Sequence, residues 1–451
     1  MSEREFDGRG AGKNQFALLA TRRFLPLFLT QFLGAFNDNF FKSALMMLIT
    51  YRLGDAAGVD PRVMVNVAAG VFILPFFVFA APASDLADRY DRSVLMRAVK
   101  LAEIVIMAAA AAGFLLNNLW MLMAVLFLMG AQSAFFSPAK YSILPQHLEE
   151  DELIAGNGLI QMGTYMAILT GTISGGLIVL KEGGLYWVGG LAVTIAAAGW
   201  LSSRYIPPTA PIDPGRSVSV NIVRRTCEMM ADVTPRRDVF GAMLAISWFW
   251  LVGATFLAQF PTYARLVLGA DEGVATAFLA IFSLGIGAGS TACNAVLKGR
   301  VSVRFVPAAA YGIALASVLL WWVSDRPPVD PGAEVVGIWA FFTNLSDLPI
   351  PLCLFAIAFC GGLYIVPLYA LMQSRSPEDR VSGVIACSNI SDSIFMVISA
   401  LGSSLLLSWG WGIAQIFILM GPLTVIAGFL IQMDIQDPPD ASTQASTQTE
   451  G

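Results

Sequence analysis

The feature that most limits what this chain can fold into is a succession of long apolar runs separated by short charged or turn-forming stretches. A bilayer's hydrocarbon core, about 30 Å thick, is crossed by roughly 20 residues of helix. Twelve runs reach that length, over 24–50, 62–82, 94–115, 119–139, 153–180, 185–206, 238–266, 273–297, 303–323, 347–373, 381–407 and 409–433. Many are continuously apolar and none alternates, so helices rather than barrel strands would satisfy the backbone in lipid. The expected fold is an all-α membrane protein with twelve transmembrane helices. Only 13% of the residues are charged, against about a quarter in a soluble domain, which argues the same way.

The first run is longer than a signal-peptide core and has no small-residue cleavage site, so it is expected to remain as the first membrane helix. Cys227, Cys293, Cys353, Cys360 and Cys387 have neither metal-site spacing nor a paired framework, and predict no metal and no disulfide. Orientation follows from the basic residues. With both termini cytoplasmic, 21 of the 27 lysines and arginines fall on the cytoplasmic side, 5 on the other, and Lys42 inside a helix. That is the asymmetry expected of cytoplasmic loops.

The longest polar segment inside the chain, "IPPTAPIDPGRSVSVNIVRRTCEMMADVTPRRD", begins proline-rich and continues basic and partly amphipathic; it divides six helices from six. A repeat gives that division meaning. "YSILPQHLEEDELIAGNGLIQMGTYMAILTGTISGGL" from Tyr141 and "YALMQSRSPEDRVSGVIACSNISDSIFMVISALGSSL" from Tyr369 share, in order, a tyrosine, an acidic cluster, a small-glycine pair and a distal glycine. Gly156 and Gly383 are 227 residues apart, as are Gly175 and Gly402. Two six-helix halves related by an axis along the membrane normal are expected. The organisation read from this is a cytoplasmic segment 1–23, a first bundle 24–206, a cytoplasmic central loop 207–237, a second bundle 238–434 and a polar tail 435–451 without apolar periodicity, expected to be disordered.

Inside that apolar frame the charged residues need a reason. In "QFLGAFNDNFFKSALMMLI", Gln31 to Ile49, helical spacing puts Asp38 and Lys42 on one face with Gly34 and Gln31, and Asn37 and Asn39 on either side. Counting the helical rise from Phe24 sets Asp38 roughly 21 Å and Lys42 roughly 27 Å along the helix, deep for Asp38 but within snorkelling reach of an interface for Lys42. An aspartate at mid-bilayer costs on the order of 2.5–3.5 kcal/mol, so it should face a cavity or a partner. Function and a structural ion pair with Lys42 are both open.

Asp392 is the comparable residue of the second half, roughly 18 Å into helix eleven, among Ser388, Asn389, Ser391 and Ser393. Glu103, roughly 13 Å into helix three, has Lys100 three residues earlier and fits a structural pair or a functional role equally. Gln132, Ser133, Asn157, Gln161, Thr164 and Tyr165 add polar groups that line a cavity or join helices. Lys140, between two prolines at the end of helix four, reads on chemistry alone as a snorkelling interfacial lysine. His147 has Glu152, not aspartate, five residues on, so an HxxxxD acyltransferase is not indicated. No P-loop occurs, so ATP-driven transport is not expected; nor is a cofactor or a nucleic-acid partner.

"SDLADRYDRSVL", Ser84 to Leu95, lies between helices two and three, and its L-A-D-R-x-x-R core resembles the loop signature of the major facilitator superfamily. Ser84 and Asp91 stand where the commonest pattern has glycine. The resemblance implies a charge relay of Asp88, Arg89 and Arg92 that closes the cytoplasmic side of an outward-facing state. Within the superfamily, "FLPLFLTQFLGAFNDNFFKSAL" with "FFSPAKYSILPQHL" resembles the lysophospholipid transporter family, including the transporter half of bacterial fusions that also carry an acyltransferase and an acyl-carrier-protein synthetase. "ADRYDR" is similar to that family's version of the loop.

This resemblance implies a flippase that takes lysophosphatidylethanolamine and lysophosphatidylglycerol from the outer to the inner leaflet of the bacterial inner membrane. Those extra halves do not follow helix twelve, so a separate acyltransferase is the expected partner. Asp38 and Asn39 fall on the family's polar helix-one motif and Lys140 on its P-A-K-Y lysine. With Gln31, Lys42, Asn389 and Asp392 they are the expected headgroup contacts, Asp38 meeting an ammonium and Lys42 or Lys140 a phosphate. The alternative is a proton-coupled exporter of amphipathic drugs in which Asp38, Glu103 or Asp392 carries the proton. A non-transporting scaffold or receptor would leave the polar cluster without a purpose.

Overall fold

The computed structural model describes residues 15–53, 60–219, 221–325 and 334–434. They contain twelve helices of 18 residues or more: α1 (Leu25–Leu48), α2 (Pro61–Arg89), α3 (Arg92–Leu115), α4 (Leu119–His147), α5 (Leu153–Val179), α6 (Gly184–Ser203), α7 (Arg237–Thr262), α8 (Glu272–Leu297), α9 (Val306–Val323), α10 (Pro349–Arg375), α11 (Val381–Ser408) and α12 (Ile413–Asp434). Ten of these are long and apolar enough to cross a membrane. At 24 residues α1 matches them in length, and its polar cluster is what lowers its apolarity. The tail 435–451 and the first fourteen residues lie outside the described residues.

Helix starts are fixed by short polar side chains. Asp91, Asn118 and Asp271 each accept a first-turn N–H, at the heads of α3, α4 and α8, satisfying donors that the helix itself leaves open. Two helices outrun their apolar stretches. α2 continues through Pro82 and the "SDLADR" residues, and α4 through Pro138 and Pro145. The end of an apolar run marks where lipid stops, whereas the helical hydrogen-bond ladder continues where a polar turn is buried against another helix. The loop signature therefore lies largely on the last turn of α2, with only Tyr90 and Asp91 between helices. Lys140 lies within α4 rather than at its end.

The helices pack as two bundles, α1–α6 and α7–α12. In the first, α1 packs on α5 and α6, α3 on α6 and α4, and α2 on α4; each pair recurs six helices later, as α7 on α11 and α12, α9 on α12 and α10, and α8 on α10. The bundles meet through α2 with α11 and through α5 with α8, which are equivalent pairs under the same relation. The repeat read from glycines is thus a repeat of packing, although its glycines are used unequally. A Cβ on Gly175 would sit 2.2 Å from the Phe40 carbonyl oxygen, so α5 approaches α1 only as glycine, whereas nothing lies within 4 Å of the same position on Gly402.

The central segment folds back on one end of both bundles. Its helix, Ile222–Val233, buries Met229 and Val233 and touches α2 and α11.

Candidate functional site

A cavity of about 430 Å³ lies between the bundles. The first bundle lines it with Gln31, Asp38, Asn39, Lys42, Lys100 and Lys140, and the second with Trp250, Tyr369, Asn389 and Asp392. The seven headgroup contacts expected from the sequence all reach this lining. Their surroundings differ greatly.

Behind Asp38 is a buried network on the first-bundle side. Lys100 Nζ lies 2.6 Å from Glu103 Oε2, which also accepts from Gln132 Nε2 at 3.1 Å, while Glu103 Oε1 accepts from Asn37 Nδ2 at 3.0 Å. Both oxygens of Glu103 are occupied, so it is a structural anchor for three helices. Gly34 makes room for this pair, since a Cβ there would come within 2.2 Å of Lys100 Nζ. Ser133 Oγ donates to Asp38 Oδ2 at 2.7 Å and lies 3.3 Å from Gln132 Oε1, joining Asp38 to the network.

Lys42 does not snorkel. Its Nζ sits 4.2 Å from the centroid of the Phe72 ring on α2, and no carboxylate of the described residues comes within ion-pair distance of it. Asp38 and Lys42 therefore share a face without forming a direct ion pair. Lys140 points into the cavity with its Nζ 4.3 Å from the Tyr141 ring centroid. Asn39 donates to the Ala35 carbonyl one turn back at 2.7 Å, and Gln31 accepts from Thr164 of α5 at 3.1 Å.

Across the cavity, Asp392 is 8% exposed and accepts from Ser247 of α7 at 2.7 Å. Among the described residues no lysine or arginine reaches ion-pair distance of it. Asn389 bridges the bundles, exchanging hydrogen bonds of 3.0 and 3.2 Å with Ser137 of α4. Ser247 was invisible to the sequence reading, because a lone serine in an apolar helix has no spacing signal.

The end that carries the central segment is closed. Tyr141 and Tyr369, the residues that head the two repeats, stack with centroids 4.6 Å apart and planes at 4°. Asn157 and Gln373 pair their amides at 2.6 and 3.2 Å. Ser382 of α11 donates to Asp88 of α2. Asp88 also lies 3.8 Å from Arg92 and 2.6 Å from Arg216 of the central segment, while Asp85 is held by Arg216 at 3.2 Å and Arg225 at 3.0 Å. Arg89 takes no part in this lattice and stacks on Tyr90. The central segment supplies the cations instead, and the only sequence signal for this was its basic amphipathic pattern. Asp91 caps α3 and also accepts from the N–H and hydroxyl of Thr209 at 3.1 and 3.0 Å. Burial works against its charge, but these donors and Ser93 hold its carboxyl below the ordinary range.

From this closed floor the cavity extends toward the opposite end of the bundles, where its walls become apolar: Met46, Ala68, Phe72, Ile168 and Met396. Two repeated helical bundles around one cavity, charged in part of its lining and shut at one end, define a membrane transporter. A family model of the Major Facilitator Superfamily matches residues 27–343, and the chain belongs to that superfamily.

Relatives narrow the comparison. The chain is 26% identical over 409 residues to a protein of Escherichia fergusonii named lysophospholipid transporter LplT, covering 88% of this chain and 92% of that one. A protein of the same name from Cronobacter sakazakii is 26% identical over 393 residues, covering 84% and 87%. Among solved structures, the fold is similar to the human organic anion transporter MFSD10, with TM-score 0.71 and 14% identity over 91% of this chain and 99% of that one. The Escherichia coli fucose:proton symporter FucP gives TM-score 0.67 and 13% identity over 94% and 100%.

Proposed function

We propose that the protein is a lysophospholipid flippase of the bacterial inner membrane, moving lysophosphatidylethanolamine and lysophosphatidylglycerol from the outer to the inner leaflet by alternating access. The observation that carries this reading is the division of one cavity into a charged floor and an apolar upper wall. A lysophospholipid has that same division. Taking its headgroup through hydrocarbon is the costly step, and the floor formed by Asp38, Lys140 and Asp392, with Lys42 above it beside Phe72, offers it polar partners. The single acyl chain lies along Phe72, Ile168 and Met396. Relatives that bear the lysophospholipid transporter name along most of their length support the same substrate.

On this reading the end bearing the central segment is cytoplasmic, with both termini on that side, and the structure corresponds to the outward-facing state. Bundles 24–206 and 238–434 rock about the cavity, and the loop 207–237 holds the cytoplasmic end closed through Arg216 and Arg225. Asp88 and Arg92 share that gate. A separate acyltransferase restores the second chain after delivery.

The test is flipping of labelled lysophosphatidylethanolamine in proteoliposomes, beside cationic amphiphiles lacking a phosphate, with and without a proton gradient. Lysolipid flipping without transport of the phosphate-free amphiphiles is the expected result. Transport of those amphiphiles that depends strictly on the gradient, with no lysolipid flipping, would replace this reading by a proton-coupled exporter.

A further inference from the structure

The cavity is electrically polarised across the bundle interface. On the first-bundle wall Lys100 is neutralised by Glu103 at 2.6 Å. That leaves Lys42 and Lys140 against Asp38, a net excess of one positive charge. On the second-bundle wall Asp392 is the only charged lining residue among the described residues. Asp392 has hydroxyl and aromatic surroundings: Ser247 at 2.7 Å, with Tyr141, Tyr369 and Trp250 on the same cavity lining. The Trp250 indole is held by its Nε1 donating to the Tyr369 hydroxyl at 3.4 Å.

We propose that Asp392, framed by Trp250 and Tyr369, is the residue that selects an amine-bearing headgroup, taking its ammonium on the second-bundle wall while Lys140 takes the phosphate on the first. This rests on the lysophospholipid reading above and deepens it. Asp38 is the weaker ammonium site: each carboxylate accepts one serine hydroxyl at 2.7 Å, but Asp38 shares its wall with Lys42 and Lys140, which repel an ammonium. A buried carboxylate without a cation is costly, and an arriving ammonium relieves that cost with a charge-assisted hydrogen bond. The Trp250 ring on the same lining adds attraction for the same cation, and Tyr369, stacked on Tyr141, holds that indole in place. A zwitterionic headgroup thus bridges the two bundles, whereas a glycerol headgroup engages the first wall through its phosphate and leaves Asp392 without a cation.

The experiment measures flipping of lysophosphatidylethanolamine and lysophosphatidylglycerol in proteoliposomes, reading the ratio of the two rates. In Asp392→Asn, which keeps the side chain's size, the ethanolamine-to-glycerol ratio should fall about tenfold, as expected for one hydrogen bond to a charged group. Trp250→Leu should lower it by roughly threefold, the scale of one cation–π contact. Lys140→Met should slow both lipids and leave the ratio unchanged, since both carry a phosphate. Should Asp392→Asn not fold, the ratio in Trp250→Leu decides. An unchanged ratio in the folded second-bundle variants overturns the assignment while lysolipid flipping itself stands. Failure of the wild-type protein to flip either lipid overturns the flippase reading and the assignment with it.

Discussion

The two bundles share one packing plan and differ in what they place on the cavity. In the first, α1 and α5 close on each other through glycine, and the wall carries three lysines and one aspartate, with Glu103 and the amides that connect them behind it. In the second, the equivalent pair α7 and α11 is joined by hydroxyls, Ser247 to Ser391 at 2.8 Å and Thr255 to Ser399 at 2.7 Å, and the wall carries one aspartate. A duplicated scaffold therefore does not imply duplicated chemistry. Packing tolerates either glycine or paired hydroxyls at a helix crossing, which leaves charge free to differ between the halves. That difference is what a substrate with two opposite charges can read.

The sharpest way to break the contrast is to remove the charge network from the first wall. Lys100→Met leaves Glu103 buried without its cation and should cost about 3 kcal/mol in thermal or denaturant unfolding, while Lys100→Met with Glu103→Gln should recover most of it. If the single variant melts like wild type, the pair is not the anchor described above. Gly175→Ala should cost about 1–3 kcal/mol by overpacking α5 against α1, while its repeat partner Gly402→Ala, with open space at the Cβ, should lose nothing. Equal losses would mean that the halves pack alike in this respect.

Gating effects come next. Tyr369→Leu removes the stack that spans the bundles and should weaken the closed end by about 1 kcal/mol. Spin labels at Val67 on α2 and Ile398 on α11 would report it as a larger population in which the opposite end has narrowed. An unaltered distance distribution would take the tyrosine pair out of the gate. The smallest effect concerns Asp91. Its folded pKa lies below the unfolded value, so its contribution to stability is present above the ordinary carboxylate range and is lost as pH falls through the folded value. Asp91→Asn should flatten that acid limb of a melting-temperature profile.

Much of the fold was legible in the sequence because lipid imposes a length and a composition on every helix. The twelve long helices, their packing as two bundles and the pairing of Tyr141 with Tyr369 all followed from apolar runs and one spaced repeat. Helix ends were less legible. The apolar run stopped at the hydrocarbon boundary, whereas α2 and α4 remain helical through buried polar turns. For the site, spacing on α1 was enough to bring Asp38 and Lys42 to one face, but not to find Phe72, which meets Lys42 from α2, or Ser247, which meets Asp392 from α7. Ser133 was legible as a polar group of α4 but not as the partner of Asp38. Pairing across helices depends on tertiary packing, and a single serine or phenylalanine in an apolar run looks the same whether it faces lipid or a carboxylate. Arg216 and Arg225 escaped for a related reason: a basic loop is expected on topology grounds alone.

The most direct measurement is photo-crosslinking with lysophosphatidylethanolamine that carries the reactive group on its ethanolamine end, followed by peptide mapping of the purified protein in bilayers. If one headgroup is held between the two walls, adducts fall on the α7 and α11 peptides around Trp250 and Asp392 and on the α4 peptide around Lys140, and excess unlabelled lipid competes them away. Adducts confined to lipid-facing side chains such as Val105 and Trp187, unaffected by competitor, would contradict a headgroup site between the bundles.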